Sequence, residues 1–111
     1  MKTIHKQIIA SVSGGLEPEY RVKLPKNSAI LSISEQHDSV VVHYLCDTEE
    51  KESFTFKFFL FETGKELPKF IGDLSYLKTL SFSLFECHIY VVHVFVDLRA
   101  LEDGIATEQD S

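Results

Sequence analysis

The histidines and cysteines are the residues of this 111-residue chain with the clearest potential for chemistry. Four of them have the right types for a zinc site: His43, Cys46, Cys87 and His93. Zinc ligands usually come in close pairs that fix half of a tetrahedron, and no such pair is present here. We therefore interpret these side chains as core or edge residues, and we predict neither a metal site nor another cofactor.

Catalytic constellations are equally weak. Cys87 and His93 would share a strand face, but six residues separate them by about 20 Å along a strand, too far for a thiol–base pair. The carboxylates of residues 47–52 form a run of charges that we expect in a solvated loop, where a raised pKa for proton transfer is difficult to achieve. Gly14 and Gly15 lack the further glycine and the helix of a phosphate-binding loop. We predict that the protein is not an enzyme.

An alternation of apolar and polar residues dominates the segments that would position these side chains. It predicts strands at residues 3–12, 20–24, 29–34, 40–46, 54–61, 80–84 and 86–96. Residues 29–34 and 40–46 should form a hairpin with a loop of four or five residues, and residues 70–74 a short strand or turn. No segment before residue 97 has sustained helical periodicity. We predict an all-β fold, a small antiparallel sandwich or partly closed barrel of six or seven strands, with at most one helical turn, at residues 98–101.

Size and charge limit the organisation and the partners of the chain. A mass of 12.7 kDa suffices for one core, so we predict a single β domain at residues 1–97. Residues 98–111 should form an acidic C-terminal tail, partly disordered, because much of the net charge of −6 lies near that end. The lack of a basic stripe argues against direct nucleic-acid binding. The longest mostly apolar run, residues 89–96, is too short to span a membrane, and the two thiols fit the reducing cytoplasm.

Two strands are apolar on both faces, and these are the strongest candidates for an interaction surface. A single sheet layer covers only one face, so the second must meet another layer or another chain. Association with another chain includes a homodimer. Complete burial within the monomer remains the alternative. The candidate interaction residues are Tyr90, Val92, Val94, Val96, Phe59 and Phe61.

Three basic residues offer a different candidate site. Arg21 and Lys23 alternate outward on one predicted strand, and Lys57 lies on a second. The three side chains come together if these two strands are neighbours. Several cationic side chains that converge on a pocket are what an anionic small molecule requires. These three residues support the alternative of a binder, or sponge, for a nucleotide-like ligand.

Four stretches resemble a family of small uncharacterised proteins from tailed bacteriophages and prophages. They are MKTIHK at residues 1–6, YRVKLPKNSAILSI at 20–33, FKFFLFETGKELP at 56–68 with FIGD at 70–73, and VHVFV at 92–96. The second stretch is the most specific. The likeness weakens after Gly72, where residues 74–86 form a longer segment than expected, and the tail after Asp97 is extra. The resemblance implies a phage or prophage origin and the cytoplasm of a bacterial host, but no catalytic residues.

These observations lead to one expected function and two alternatives. We expect a phage-encoded accessory protein that binds a bacterial host protein or complex, such as a component of a host defence system that it inhibits. The first alternative is the nucleotide-like ligand binder, and the second is a virion or structural protein. The expectation of an inhibitor rests on origin and on the lack of catalytic motifs, which is an associational argument.

Overall fold

The protein is described here from a computed structural model, which covers residues 1–85 and 88–98, without the side chains of residues 84, 85 and 88. Cys87, most of the predicted helical turn at residues 98–101 and nearly all of the predicted tail lie outside these residues. The described part of the chain contains no helix with the length and hydrophobicity needed to cross a lipid bilayer.

Seven antiparallel strands in two sheets make up the described residues. The strands are β1 (Lys2–Ser11), β2 (Glu19–Pro25), β3 (Ala29–Gln36), β4 (Ser39–Asp47), β5 (Ser53–Glu62), β6 (Ser75–Phe85) and β7 (His88–Val96). One sheet has the order β1-β4-β3, and the other has the order β2-β5-β7-β6. The predicted all-β fold is confirmed, and the two sheets form a sandwich and not a closed barrel.

The main core lies between the two sheets and is built from alternate residues of the central strands. Because successive side chains point to opposite faces of a strand, the even-numbered residues at 40–46 in β4, 56–60 in β5 and 92–96 in β7 face inward. Phe58, Val92 and Val94 are completely buried there. The remaining members contributed by these strands are Val40, Val42, Tyr44, Cys46, Phe56, Leu60 and Val96.

A second, smaller apolar cluster covers the outer face of the four-stranded sheet. Phe59, Phe61 and Leu74 are its buried members, and Ile71 and Phe95 pack against them. A short 3₁₀ helix at Lys69–Asp73, in the connection between β5 and β6, supplies part of this cover. The two apolar faces of β5 are thus buried in two different places, one between the sheets and one beneath the chain's own connection.

Two connections differ from the sequence prediction. The β3–β4 hairpin is confirmed, but its turn consists of His37 and Asp38 alone, and not of four or five residues. His37 makes this tight turn possible by adopting a positive φ of 58°, a conformation that few non-glycine residues adopt. Residues 70–74 were expected as a strand or turn, and they belong mostly to the 3₁₀ helix, which follows Pro68.

Candidate functional site

The structure places three of the candidate interaction residues of β7 inside the core. Val92 and Val94 have no exposed surface and Val96 only 1%. Their strand lies between β5 and β6, so their side chains fill the space between the sheets. Tyr90 is partly buried and packs against the same core. The face predicted for association is therefore the core face in this fold, as in the alternative of burial within the monomer.

Phe59 and Phe61 lie on the opposite face of the four-stranded sheet, within an aromatic cluster. Their rings stack with centroids 6.3 Å apart. Phe70 packs edge-on against Phe59 at 5.5 Å, and Phe95 packs edge-on against Phe61 at 5.6 Å. Phe59 and Phe61 are almost fully buried, whereas Phe70 keeps 43% of its surface exposed. The cluster thus has a covered base and an accessible rim.

An open groove of about 820 Å³ lies over this cluster. One wall is the segment that leads into β2, the floor is the end of β5, and the other wall is the β5–β6 connection. Leu67, in that connection, is a second exposed apolar residue at the groove, with 47% of its surface accessible. The full lining is Leu16, Glu17, Pro18, Glu19, Phe59, Leu60, Phe61, Glu62, Lys65, Glu66, Leu67, Pro68, Lys69 and Phe70.

The charges around the groove are predominantly negative, with four glutamates against two lysines. Glu19 is neutralised by Arg21, whose Nε lies 2.8 Å from a carboxylate oxygen. Within the described residues, Glu17, Glu62 and Glu66 form no ion pair. Lys65 and Lys69 offset two of these three charges, so the groove keeps an apolar floor with a small net negative charge, which favours a partner that carries apolar and basic side chains.

Backbone groups of β5 also face the groove, because the pairing of β5 with β2 stops at Phe59 while β5 continues to Glu62. The last paired residues are Glu19 and Phe59, and one further contact joins the Leu60 amide to the Pro18 carbonyl at 3.4 Å. Proline has no N–H, so Pro18 cannot return a hydrogen bond to the Leu60 carbonyl. The end of β5 beyond Leu60 is thus a strand edge with β7 on one side and the groove on the other.

The three candidate cationic residues lie on neighbouring strands, β2 and β5. Arg21 lies directly opposite Lys57 in the β2–β5 pairing, and Lys23 lies opposite Thr55. All three odd-numbered positions are on the outer face of the four-stranded sheet. Neither the groove nor a smaller cavity of about 180 Å³ near Cys46 is lined by them. They form a cationic strip along a sheet face and not the wall of a described pocket.

The described histidine and cysteine candidates lie in three different layers. Cys46 is buried between the sheets. His43 and Ser34 share a 2.8 Å hydrogen bond on the outer face of the three-stranded sheet. His93 is bonded through Nε2 to Thr63 at 2.7 Å and through Nδ1 to Thr79 at 2.9 Å. The described residues contain no group of three side chains that could hold a metal ion.

The sequence prediction identified Phe59 and Phe61 but missed the groove beside them. Its walls come from segments far apart in the chain, around Glu17 and Glu66, which no local pattern connects. One local signal was available: Pro18 lies two residues before the strand predicted at 20–24, and a proline at that position interrupts a hydrogen-bonded ladder.

Comparisons with known proteins define a family but no activity. Neither a curated protein nor a solved structure matches the chain. One family model matches residues 1–100, which is most of the chain and includes every residue that lines the groove. The chain therefore belongs to the family described as Domain of unknown function (DUF7352).

Proposed function

We propose that this protein is a binding module that acts on a bacterial host protein through the groove over Phe59 and Phe61. The observation that carries the proposal is the groove itself, with its exposed apolar rim and its unpaired carboxylates. Binding sites for proteins typically combine a few large apolar or aromatic anchors with a polar rim that excludes water. Phe70 and Leu67 supply the anchors, and the glutamates supply the rim.

The charge of the groove favours a protein segment over a nucleotide. Phosphate groups would meet unpaired glutamates there, and like charges brought together in a partly desolvated site cost free energy. Lysine or arginine side chains from a partner would instead reach Glu17, Glu62 and Glu66. Apolar side chains between those bases would cover the exposed parts of Phe70 and Leu67.

The biological setting of the proposal follows from the resemblance to phage and prophage proteins. In that setting the protein is a phage-encoded accessory factor in the cytoplasm of the infected bacterium. Its partner would be a host enzyme or a component of a defence complex, which the bound protein occludes. This last step rests on the resemblance alone.

The test is affinity capture from a bacterial host lysate with matched variants. Leu67→Asp places a charge in the groove, and Leu31→Asp places the same charge on β3, where 50% of the leucine is exposed. We expect a host protein in stoichiometric amount with the wild type and with Leu31→Asp, and at least about tenfold less with Leu67→Asp. Equal capture by all three proteins would contradict binding through the groove.

The cationic strip supports a second candidate function. Arg21 and Lys57 are directly opposite each other, and Arg21 is already paired with Glu19, so Lys23 and Lys57 are the charges of the strip that remain for an anionic group. A nucleotide-like ligand bound there would be released by heating the purified protein and would absorb near 260 nm. We expect Lys57→Ala to abolish its co-purification while capture of the host protein through the groove is unchanged.

A further inference from the structure

The end of β5 has a free backbone edge inside the groove. β5 extends to Glu62, whereas its pairing with β2 ends at Phe59. On its other side β5 remains paired with β7, where Phe61 lies opposite His93 and Glu62 opposite Val92. The segment from Leu60 to Glu62 is therefore a central strand on one side and an edge on the other.

Two of the backbone hydrogen bonds at this end of β5 fix which backbone groups face the groove, and a third, from the Lys65 amide, occupies the Glu62 carbonyl. The Leu60 amide bonds to the Pro18 carbonyl, so the N–H and C=O of Leu60 point toward β2. The Thr63 amide bonds to the Val91 carbonyl, so Thr63 points toward β7. Because the direction alternates along a strand, Glu62 points to the same side as Leu60. The Leu60 carbonyl and the Glu62 amide are thus presented to the groove.

These two groups have no partner on the β2 side within the described residues. Pro18 cannot donate to the Leu60 carbonyl, because its nitrogen carries no hydrogen. Residues 16–18, which precede β2, form no backbone hydrogen bond with the Glu62 amide. A backbone acceptor and a backbone donor on alternate residues of a strand edge that lines a groove are the groups to which another strand adds.

We propose that the groove binds an extended segment of the partner protein by strand addition, in which the segment pairs with Leu60 and Glu62 of β5. The segment lies opposite Phe61, beyond Pro18, where it donates to the Leu60 carbonyl and accepts from the Glu62 amide. This inference rests on the proposed function, since it specifies how that same groove recognises its partner. In such binding modes the backbone supplies affinity, and side chains at alternate positions supply specificity.

The side chains of the added segment follow from the two faces that it would present. On the outer side of the sheet, an apolar side chain would lie over the rim formed by Phe70 and Leu67. Flanking basic side chains would reach Glu17 and Glu66, which lie on opposite walls of the groove. The occupant is therefore an extended segment that combines basic and apolar residues.

The chain's own C-terminal segment has the wrong charge to be this occupant. Residues 99–111 contain four acidic residues and one arginine. The unpaired glutamates of the groove repel such a segment. Charge complementarity therefore indicates another protein as the source of the strand.

Synthetic peptides test the backbone pairing separately from side-chain binding. The probe is a fluorescent nine-residue peptide in which lysine alternates with valine or phenylalanine. Two further versions carry N-methyl groups on alternate amides, either on the edge that would pair with β5 or on the opposite edge. We expect methylation of the edge that pairs with β5 to weaken binding at least about tenfold. Methylation of the opposite edge should have little effect. Exchange of the Glu62 amide with solvent should slow when the unmodified peptide is bound.

The charge requirement is tested with protein variants of equal net charge. The double variant Glu17→Lys and Glu66→Lys reverses two groove carboxylates, and Glu35→Lys with Glu49→Lys reverses two exposed carboxylates elsewhere. We expect about tenfold weaker peptide binding for the first pair and wild-type binding for the second. For a peptide with glutamate in place of lysine, we expect no binding signal with the wild type above that of the peptide in buffer alone.

Three results would overturn the proposal in distinguishable ways. Equal binding of both methylated peptides would eliminate strand addition, while the groove would stand as the site. Equal loss of binding in both charge-reversed pairs would show a nonspecific charge effect and refute the specificity. A dimer in solution that the peptide displaces would show that a second copy of this chain occupies the groove. If Leu67→Asp also leaves capture of the host protein unchanged, the proposed function itself fails.

Discussion

The burial of β7 leads to a sharp prediction for Val94→Asp. Val94 is completely buried between the sheets, and its strand is paired on both sides. Loss of the buried valine side chain costs about 2 kcal/mol. A carboxyl group with an ordinary pKa of about 3.9 must also be protonated to enter the core at pH 7, which costs about 4 kcal/mol. The expected loss of about 6 kcal/mol is comparable with the whole stability of many domains, about 5–15 kcal/mol.

The protonation step gives this variant a pH dependence with a definite sign. Burial raises the pKa of the introduced carboxyl in the folded state above its value in the unfolded chain. The electrostatic part of the destabilisation is therefore absent below about pH 4 and grows as the pH rises toward 7. Relative to the wild type at the same pH, the variant should recover about 4 kcal/mol between pH 7 and pH 4.

A control on the same strand separates burial from the chemical effect of an added aspartate. Ile89 is 72% exposed, so Ile89→Asp should change the free energy of unfolding by no more than about 0.5 kcal/mol. Urea denaturation followed by circular dichroism measures both variants, and light scattering reports their mass. A Val94→Asp protein that melts like the wild type and loses only an association would refute the core assignment.

Two further perturbations test local features of the fold. Gly64 has a φ of 90° and open space around its Cα, so Gly64→Ala should lower the free energy of unfolding by about 1 kcal/mol through backbone strain alone. Gly14→Ala should lower it less, because Gly14 has no positive φ. Urea denaturation compares the two variants. The pKa of Asp38 is lowered chiefly by its hydrogen bond from Ser13, against a smaller effect of desolvation, and then by Ser11. Ser13→Ala should therefore raise that pKa more than Ser11→Ala does, in an NMR titration. Because the folded-state pKa is depressed, the stabilisation is present above the ordinary pKa and disappears as the pH falls through the folded value; a larger effect of Ser11→Ala would contradict this ranking.

The alternation in the sequence was sufficient to predict strands but not to decide which face is the core. In β7 both faces are apolar, and the prediction assigned Val92, Val94 and Val96 to an interface. The decision is made by pairing: Leu60 lies opposite Val94, and Phe58 lies opposite Val96, so these residues share the inner face of the sheet. A pairing between residues nearly forty positions apart is not visible in either strand alone.

The candidate site was predictable only where a side chain carried the signal. Phe59 and Phe61 were identified because two apolar faces on one strand are unusual in a small domain. The open edge at Leu60 depends on the place where β2 turns away from β5, which is a tertiary property. The two-residue length of the β3–β4 turn was not predicted, because the usual asparagine–glycine signal is lacking and His37 takes the positive φ instead.

The strand order also determines how the chain must fold. Among the described strands, only β3–β4 and β6–β7 are hairpins, whereas β1 pairs with β4, β2 with β5 and β5 with β7 across separations of 28 to 45 residues. During synthesis, β1 and β2 therefore emerge from the ribosome well before any partner exists for them. Contacts of this range place the protein among the slow-folding topologies, with times of milliseconds to seconds. That interval of unpaired strands is when aggregation and proteolysis compete with folding.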